Sequence, residues 1–496
     1  MSGNEIHIPR CMSTQHPDNA TPPFFSAGDV MGGDDEVREA HYVFKTLGCD
    51  EQMWDHEGKE VDQFVVSKLF SQYGSFFKKK KLGKNVFLTL RVPNPVRERN
   101  SAKVLLEVLE SIPRAFDTAK QFYGEEIAPV FEVILPMTTS AIEVSRIWHY
   151  YQGFVVAKSE RLVVPGDITL KEWIGEFAPS RINVIPLIED KPSLLSADTI
   201  VEDFVRGKGI DYQRVFLARS DPALAYGSAS AVLMIKLALY KLHALEKRLG
   251  IPIYPVVGVG TAPFRGHFNP TNIKSRLAAY PSVQTFTVQS AFKFDYPEEL
   301  VKNAISRIKA ARRRAPIEVE DEILLRKMVE KISHTYSHQV ESLAPLINEI
   351  AKYTPPRRKR KLHVGLFGYT RAVANKRLPR AIGFCAALYS IGLPPELLGL
   401  SDLKKEEIKE MLGFYPNFIE DIRDSLSYFD SDCLKIIPAR VAGELYKTLR
   451  LLNVDAKPNV IHQSLSRAVR SAVEKKEEAR IPDLITQAAR ERRFLG

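Results

Sequence analysis

Two acidic residues follow strand-like segments in the first half of the chain. Glu189 comes directly after the apolar run 182–188, and Asp221 comes shortly after the run 215–218. If both runs are parallel strands of one barrel, their carboxyl ends open at the same face and bring the two carboxylates together. Two hard oxygen ligands, with other positions left to water and a phosphorylated substrate, suit Mg²⁺ or Mn²⁺. The sequence therefore predicts a divalent-cation site, although capping of a following helix or turn would give the same pattern.

Arginines stand at comparable positions. Arg91 and Arg219 each directly follow an apolar run, and Arg265 comes after a glycine-containing turn that follows another. A guanidinium group binds phosphate or carboxylate through two parallel hydrogen bonds, which lysine cannot do. Each arginine alone is more often the partner in a surface ion pair. Their repetition at the strand ends predicts a substrate that carries several negative charges.

Two histidines lie in polar loops. His16 stands in the segment 12–19, which ends in the turn-forming sequence Pro-Asp-Asn, and His267 follows Arg265 by two residues. A loop histidine can act as a general acid or base near neutral pH. Solvent-exposed or structural histidines are the alternative at both positions.

A glycine-containing segment in the second half of the chain is a candidate anion site. The sequence Gly-Leu-Phe-Gly-Tyr-Thr-Arg ends at Arg371, and Arg380 opens a predicted helix soon after it. Backbone N–H groups at a helix start, together with the helix dipole, attract anions. The spacing matches neither a P-loop nor the dinucleotide-binding fingerprint, so an ordinary helix entry after a basic turn is the alternative.

Strand-like runs that could position these residues recur through the first 290 residues. They lie at 86–90, 130–135, 182–188, 215–218, 253–257 and 283–288. Segments with helical periodicity, such as 101–116 and 229–249, lie between several of them. Alternation of strand and helix indicates a parallel α/β fold, and at least six strands favour a TIM (β/α)8-type barrel over an open sheet.

The pattern changes after residue 297. Long amphipathic stretches follow at 298–314, 318–352, 380–391, 404–412 and 439–452. We therefore predict a single domain over 1–496, in which 1–290 supplies mostly barrel strands and helices. The part 291–496 is predicted to add many α-helices and to complete the active site, with 355–361 as a loop between two helical blocks.

Composition limits the classes of protein that remain. The formal net charge is +10, and basic clusters at 78–81, 312–314 and 357–361 are interpreted as solvated faces or loops. Four dispersed cysteines without a CxxC pair argue against a zinc ribbon or a disulfide framework and fit a reducing cytoplasm. No signal-peptide pattern and no run approaching about 18 apolar residues is present, so a cytoplasmic location without a membrane is predicted.

Five short motifs are distributed along nearly the whole chain. They read STQHPDN at 13–19, FEVILPMTTS at 131–140, LIE at 187–189, RSDP at 219–222 and PFRGH at 263–267. In this order, and in a chain of this length, they resemble archaeal-type phosphoenolpyruvate carboxylase. The resemblance implies a TIM barrel with many extra helices, usually a homotetramer, that uses Mg²⁺ or Mn²⁺ and bicarbonate without biotin.

The resemblance also implies roles for individual residues. His16 matches the histidine of the family's Thr-x-His-Pro segment, which assists the breakdown of carboxyphosphate, and Glu189 and Asp221 match the metal-binding carboxylates. The arginines that match family positions are Arg91, Arg265, Arg371 and Arg380, of which Arg265 and Arg371 are taken as catalytic and the other two as substrate-binding. Arg219 and His267 are further candidates for substrate binding. The loop after Arg265 lacks the repeated glycines of the longer relatives.

The implied reaction is the irreversible carboxylation of phosphoenolpyruvate by bicarbonate to oxaloacetate and phosphate, through carboxyphosphate and pyruvate enolate. A metal-dependent aldol-type lyase or phosphotransferase would use the same barrel, and dependence on bicarbonate separates it. A nucleic-acid or protein partner for 78–81 and 355–361 would instead show steep salt dependence. We expect neither nucleic acid nor membrane as a partner. Relatives are often inhibited by aspartate or malate, for which the basic tail 490–496 is a candidate site.

Overall fold

Eight parallel strands form a closed barrel in chain order, with the first strand beside the last. The computed structural model describes residues 7–57, 61–99, 102–359, 372–373 and 376–496. The strands are β1 (Cys11–Ser13), β2 (Glu51–Asp55), β3 (Phe87–Arg91), β4 (Glu132–Leu135), β5 (Asn183–Ile188), β6 (Gln213–Ala218), β7 (Ile253–Gly258) and β8 (Thr285–Val288). Because all neighbours are parallel, the eight carboxyl ends open at one end of the barrel. The predicted TIM-type barrel is confirmed.

The first two strands have no counterpart among the apolar runs of the sequence. β1 has only three residues, and β2 reads Glu-Gln-Met-Trp-Asp. All five residues of β2 are buried, its polar ones included. A strand whose inward side chains are charged does not show the apolar pattern on which strand prediction relies.

Helices follow or precede the strands on the outside of the barrel. They are α1 (Asp34–Tyr42), α2 (Val65–Lys79), α3 (Ala102–Tyr123), α4 (Ala141–Tyr150), α5 (Leu170–Ile174), α6 (Lys191–Leu195), α7 (Ala197–Val205), α8 (Ser220–Tyr226), α9 (Ser228–Leu249), α10 (Ile273–Ala279) and α11 (Ser290–Phe294). Within the described residues, α9 alone is long and apolar enough to cross a membrane. It is mostly buried and packs against α7 and the long helix α13 (Glu322–Ala351), as a core helix does.

The rest of the chain is mostly helical, as predicted. Beyond α13 it contains α12 (Glu298–Ala310), α14 (Ala381–Ser390), α15 (Lys405–Phe414), α16 (Phe418–Leu426), α17 (Ala439–Leu452), α18 (Val460–Glu474), α19 (Ile481–Arg492) and the strand pair β9 (Ala372–Val373) and β10 (Lys376–Arg377). α13 starts later than the sequence pattern indicated, because the Asp321 side chain caps it by accepting a hydrogen bond from the Leu324 backbone N–H. One hydrophobic cluster joins barrel and helical residues.

The interior of the barrel is closed at its amino end by a charged layer. The Arg214 guanidinium contacts both oxygens of Glu51 at 2.8 and 2.7 Å and Glu132 Oε2 at 2.6 Å, and it also donates to Thr285 Oγ1 at 3.2 Å. Above this layer lies an apolar cluster that includes Ile185 and Phe216. Burial alone would lower the pKa of Arg214, but the two glutamates raise it.

Candidate active site

A cavity of about 250 Å³ opens at the carboxyl end of the barrel. Seven of the nine predicted site residues line it, although they come from distant parts of the chain. They are His16, Arg91, Glu189, Arg219, Asp221, Arg265 and Arg380. The predicted convergence at one barrel face is therefore what the fold produces.

The two predicted metal-binding acids follow neighbouring strands. Glu189 comes directly after β5 and Asp221 lies in the first turn of α8, after β6, and β5 and β6 are hydrogen-bonded to each other. The cap of the helix after Glu189 is the adjacent Asp190, whose side chain accepts from the Ser193 N–H. Glu189 is therefore left to face the cavity, where it is nearly fully buried.

The donor set suits a hard divalent cation. Among the described residues there is no group of three or more His, Cys, Asp or Glu side chains arranged to hold a metal. Mg²⁺ is commonly bound by one or two carboxylates, with water and substrate oxygens completing its octahedron. Glu189 and Asp221 on an open cavity fit that mode of binding, whereas a closed structural site would need more protein ligands.

Arg91 is held by two acidic residues that the sequence patterns did not reveal. It ends β3, and Asp55, its neighbour at the end of β2, accepts hydrogen bonds from Nε and Nη2, both at 2.7 Å. Glu57 Oε2 lies 2.9 Å from Arg91 Nη2, and Glu57 also lies 3.9 Å from the Arg380 guanidinium. Burial would lower the pKa of Arg91, but Asp55 and Glu57 raise it. The orientation of this guanidinium is thus fixed by paired carboxylates.

Arg265 lies on a short helical turn, Pro263–Arg265, after β7 and is almost completely buried. Its guanidinium donates to Ser220 Oγ at 3.0 Å, Gln289 Oε1 at 2.5 Å and the main-chain oxygen of Gly496 at 2.8 Å. The acidic side chain beside it is Asp18, whose Oδ2 lies 3.3 Å from Arg265 Nη1. The side chains of Ser220 and Gln289 are neutral, so Asp18 is the one acidic side chain among these partners of Arg265 at the cavity.

A glycine allows Arg265 to lie this close to the backbone. A Cβ atom added at Gly260 would come within 2.8 Å of Gln289 Oε1 and 3.1 Å of the Arg265 guanidinium carbon. Any side chain at this position would push the guanidinium away from its place at the cavity wall. The glycine-containing turn of the sequence thus serves close packing of an arginine.

Arg219 and Arg380 differ in exposure. Arg219 is buried, and its Nη2 donates to Ser228 Oγ at 2.9 Å at the start of α9. Arg380 stands at the start of α14 with its side chain about half exposed. The Arg380 side chain is therefore accessible to a ligand from solvent, whereas Arg219 is held at the cavity wall by the start of α9.

His16 lies in the loop after β1 and is partly buried. Its Nδ1 is 2.9 Å from the Thr14 hydroxyl, which fixes the orientation of the ring. The loop is anchored by Lys293, whose ammonium group donates to Ser13 Oγ, to the Thr14 carbonyl and to Glu39 at 2.7–2.9 Å. This buried ion pair holds the histidine at the cavity.

A wall formed by residues 354–358 corrects the interpretation of one basic cluster. Arg357 and Arg358 were expected to be solvated, but both are buried. Arg357 donates to the backbone carbonyls of Asn19 and Ala20, and Arg358 pairs with Glu39 and more weakly with Glu36. Sequence could not reveal these distant partners. They leave that part of the cluster unavailable to a nucleic acid.

Two predicted site residues remain, Arg371 and His267. Arg371 lies outside the described residues. His267 is not among the residues that line the cavity, and its Nδ1 lies 2.7 Å from Asp424 Oδ2 on α16. The catalytic role of Arg371 and the substrate-binding role of His267 stay predictions.

Comparison with known proteins gives one consistent result. A family model described as phosphoenolpyruvate carboxylase matches residues 8–496. Proteins named phosphoenolpyruvate carboxylase from Methanospirillum hungatei and Methanothermobacter thermautotrophicus are 48% and 47% identical, over 99% of this chain and 100% of theirs. A third, from Pyrococcus abyssi, is 53% identical over 85% of this chain and 88% of its own length.

Proposed function

The chain belongs to the phosphoenolpyruvate carboxylase family, and we propose that its cavity joins bicarbonate carbon to phosphoenolpyruvate, giving oxaloacetate and inorganic phosphate. The observation that carries this function is the match of the family model to almost the whole chain. The convergence of seven predicted residues on one cavity supports the assignment of the site.

Arginine side chains would bind the negatively charged groups of the substrates. Phosphoenolpyruvate carries a phosphate and a carboxylate, and bicarbonate attacks its phosphorus to give carboxyphosphate and the enolate of pyruvate. Arg265 and Arg380 would bind these anionic groups, with Arg371 as a third ligand and Arg219 behind them. Arg91, held by Asp55, would present one fixed face of its guanidinium. Preorganised donors of this kind stabilise developing charge without rearrangement during the reaction.

Glu189 and Asp221 would hold Mg²⁺ or Mn²⁺, which when bound supplies Lewis-acid stabilisation worth several kcal/mol. Their positions after adjacent strands fix both carboxylates on rigid elements. Glu189→Gln should raise the metal concentration needed for half-maximal activity by about tenfold or more, because a neutral amide is a weaker ligand for a hard cation. Asp190→Asn is the matched control, since Asp190 caps a helix beside the site. Equal metal titrations for the two variants would contradict the assignment.

His16 would act as the proton acceptor. Loss of the carboxyl proton from carboxyphosphate releases CO₂ and phosphate, and the enolate carbon then attacks CO₂. Thr14 fixes the imidazole for this transfer. Water or a stray proton would instead convert the enolate to pyruvate, so the wall 354–358 would help to exclude solvent.

The finer properties of the enzyme are proposed with it. A homotetramer is supported by apolar side chains exposed on the segment between α4 and β5, including Phe154, Val163 and Trp173, because such patches commonly mark subunit contacts. Four buried free cysteines support a reducing cytoplasm. By resemblance, the enzyme needs no biotin and is inhibited by aspartate or malate. Light scattering of the eluting protein tests the tetramer.

The function is tested by measuring both products in one sample. Purified protein receives phosphoenolpyruvate, Mg²⁺ and bicarbonate, oxaloacetate is followed with malate dehydrogenase and NADH, and phosphate is measured separately. We expect equal amounts of the two products and dependence of both on bicarbonate. Phosphate release without matching oxaloacetate, or a rate that does not change when bicarbonate is removed, would favour a phosphotransferase or an aldol-type lyase instead.

A further inference from the structure

The turn that carries Arg265 has a strained backbone directly after it. Gly266 and His267 both have positive φ, at 115° and 48°. Glycine adopts this region freely, but a residue with a Cβ atom loses roughly 1–2 kcal/mol there. Such strain persists only where the surroundings hold the residue in place, and it is frequent beside functional groups.

Contacts from two directions hold His267 in this conformation. Its Nδ1 lies 2.7 Å from Asp424 Oδ2 on α16, and its carbonyl accepts from Asn272 Nδ2 at 2.6 Å. Asp424 is itself fixed by Arg276 of α10, whose Nη2 lies 3.0 Å away. Burial would raise the pKa of Asp424, but His267 and Arg276 lower it, so the carboxylate is available as a charged partner.

Because His267 belongs to the same turn as Arg265, its fixed conformation also restricts the position of Arg265. Only Gly266 separates the two residues, and the His267 N–H donates to the Ala262 carbonyl at 3.0 Å, closing the turn. The Arg265 carbonyl accepts from the Gly260 N–H at 2.8 Å. A Cβ atom at Gly266 would lie 2.9 Å from Val259 Cγ1, so the turn has little room to relax elsewhere.

We propose that His267 and Asp424 are positioning residues, which together hold the Pro263–Arg265 turn so that the Arg265 guanidinium lies at the cavity. The inference rests on the proposed function, because it assigns a purpose to the place of Arg265. It also gives His267 a different task from substrate binding. Through Asp424, a helix of the C-terminal half sets the geometry of a catalytic group on the barrel.

The pair is tested by steady-state kinetics on single and double variants. Asp424→Ala and His267→Asn should each lower kcat about tenfold, since small displacements of a catalytic group are costly, with KM for phosphoenolpyruvate changed less than about threefold. Asparagine tolerates positive φ, so His267→Asn removes the ring without adding strain. Asp424→Asn keeps a hydrogen-bonding oxygen and should recover much of the loss.

Glu420→Gln is the matched control. Glu420 lies on the same helix and contacts Arg276 at 3.4 Å, but its contacts do not include His267. This variant should retain kcat within about twofold, the margin expected for a surface ion pair. Thermal unfolding of every variant shows whether lost activity reflects lost fold.

The double variant His267→Asn/Asp424→Ala separates a shared role from two separate ones. If the residues act as one unit, it should be no slower than either single variant, that is about tenfold rather than about a hundredfold. Additive losses, or full activity in Asp424→Ala beside an inactive His267→Asn, would overturn the proposal and return His267 to direct substrate contact. A wild-type protein that makes no oxaloacetate would instead refute the proposed function.

Discussion

Both ends of the barrel bury an arginine, but the partners of the two guanidinium groups differ. At the amino end, Arg214 contacts two glutamates and a threonine, and its charge is fully compensated by Glu51 and Glu132. At the carboxyl end, beside a cavity, Arg265 contacts one acidic side chain, Asp18 at 3.3 Å, the neutral side chains of Ser220 and Gln289, and the main-chain oxygen of Gly496. A guanidinium enclosed by two acidic side chains contributes to structure, whereas one that lines a cavity and has a single acidic side chain beside it can also contact an anion.

Arg91 is an intermediate case that refines this comparison. It lies at the carboxyl end, yet Asp55 and Glu57 compensate its charge. Its contribution to an anion site therefore depends more on orientation than on net charge.

Arg214→Met should be severely destabilising. It leaves Glu51 and Glu132 buried without a cation, which typically costs about 3–5 kcal/mol of the free energy of unfolding. Urea unfolding followed by circular dichroism measures the change. Adding Glu51→Gln and Glu132→Gln to the same chain should restore part of the stability. An unfolding midpoint equal to that of the wild type would mean that the amino end does not depend on this ion-pair layer.

Arg265→Lys should leave the fold nearly intact and lower kcat by about a hundredfold, because an ammonium group cannot reproduce the paired donors of a guanidinium. The coupled oxaloacetate assay measures kcat, and urea unfolding measures stability. The same substitution at Arg214 is the matched control, and it should affect unfolding far more than kcat. Similar losses of kcat at both positions would remove the distinction between the two ends.

Asp55→Asn should lower kcat/KM for phosphoenolpyruvate by about tenfold. The amide can accept only one of the two hydrogen bonds that now orient Arg91, so the guanidinium loses its fixed direction. Asp117→Asn on the outer helix α3 serves as the control and should match the wild type. Unchanged kinetics in Asp55→Asn would show that Arg91 does not depend on this carboxylate.

The smallest expected effect is that of Glu39 on the pH dependence of the free energy of unfolding. Burial would raise its pKa, but Arg358 and Lys293 lower it from 4.5 to about 2. The unfolded chain therefore takes up a proton first as the pH falls, and stability is lost between about pH 4.5 and 2. Between pH 7 and pH 4, the free energy of unfolding should fall by about 0.8 kcal/mol because of this group. Unfolding measured at both pH values should show a smaller fall in Glu39→Gln, and an identical fall would contradict the ion-pair account.

Local patterns in the sequence were sufficient for the six apolar runs and for the residues that follow them. Glu189, Arg91 and Arg219 could be found because a parallel barrel brings all its strand ends to one face. β2 could not be found, since its buried polar residues are compatible with the core only through partners such as Arg214, far away in the chain. The same reason hid Asp55 and made Arg358 look solvent-exposed. Long-range charge compensation leaves no local pattern.

The most direct test is to locate a bound metal ion and a substrate analogue relative to the carboxyl end of the barrel. Crystals grown with Mn²⁺ and a phosphonate analogue of phosphoenolpyruvate can be measured at the manganese absorption edge, where only the metal gives a strong anomalous signal. We expect one peak coordinated by both Glu189 and Asp221, with the phosphonate contacting Arg265. A metal bound elsewhere, or an analogue that occupies another surface while this cavity holds only water, would contradict the central claim that the carboxyl end of the barrel is the active site.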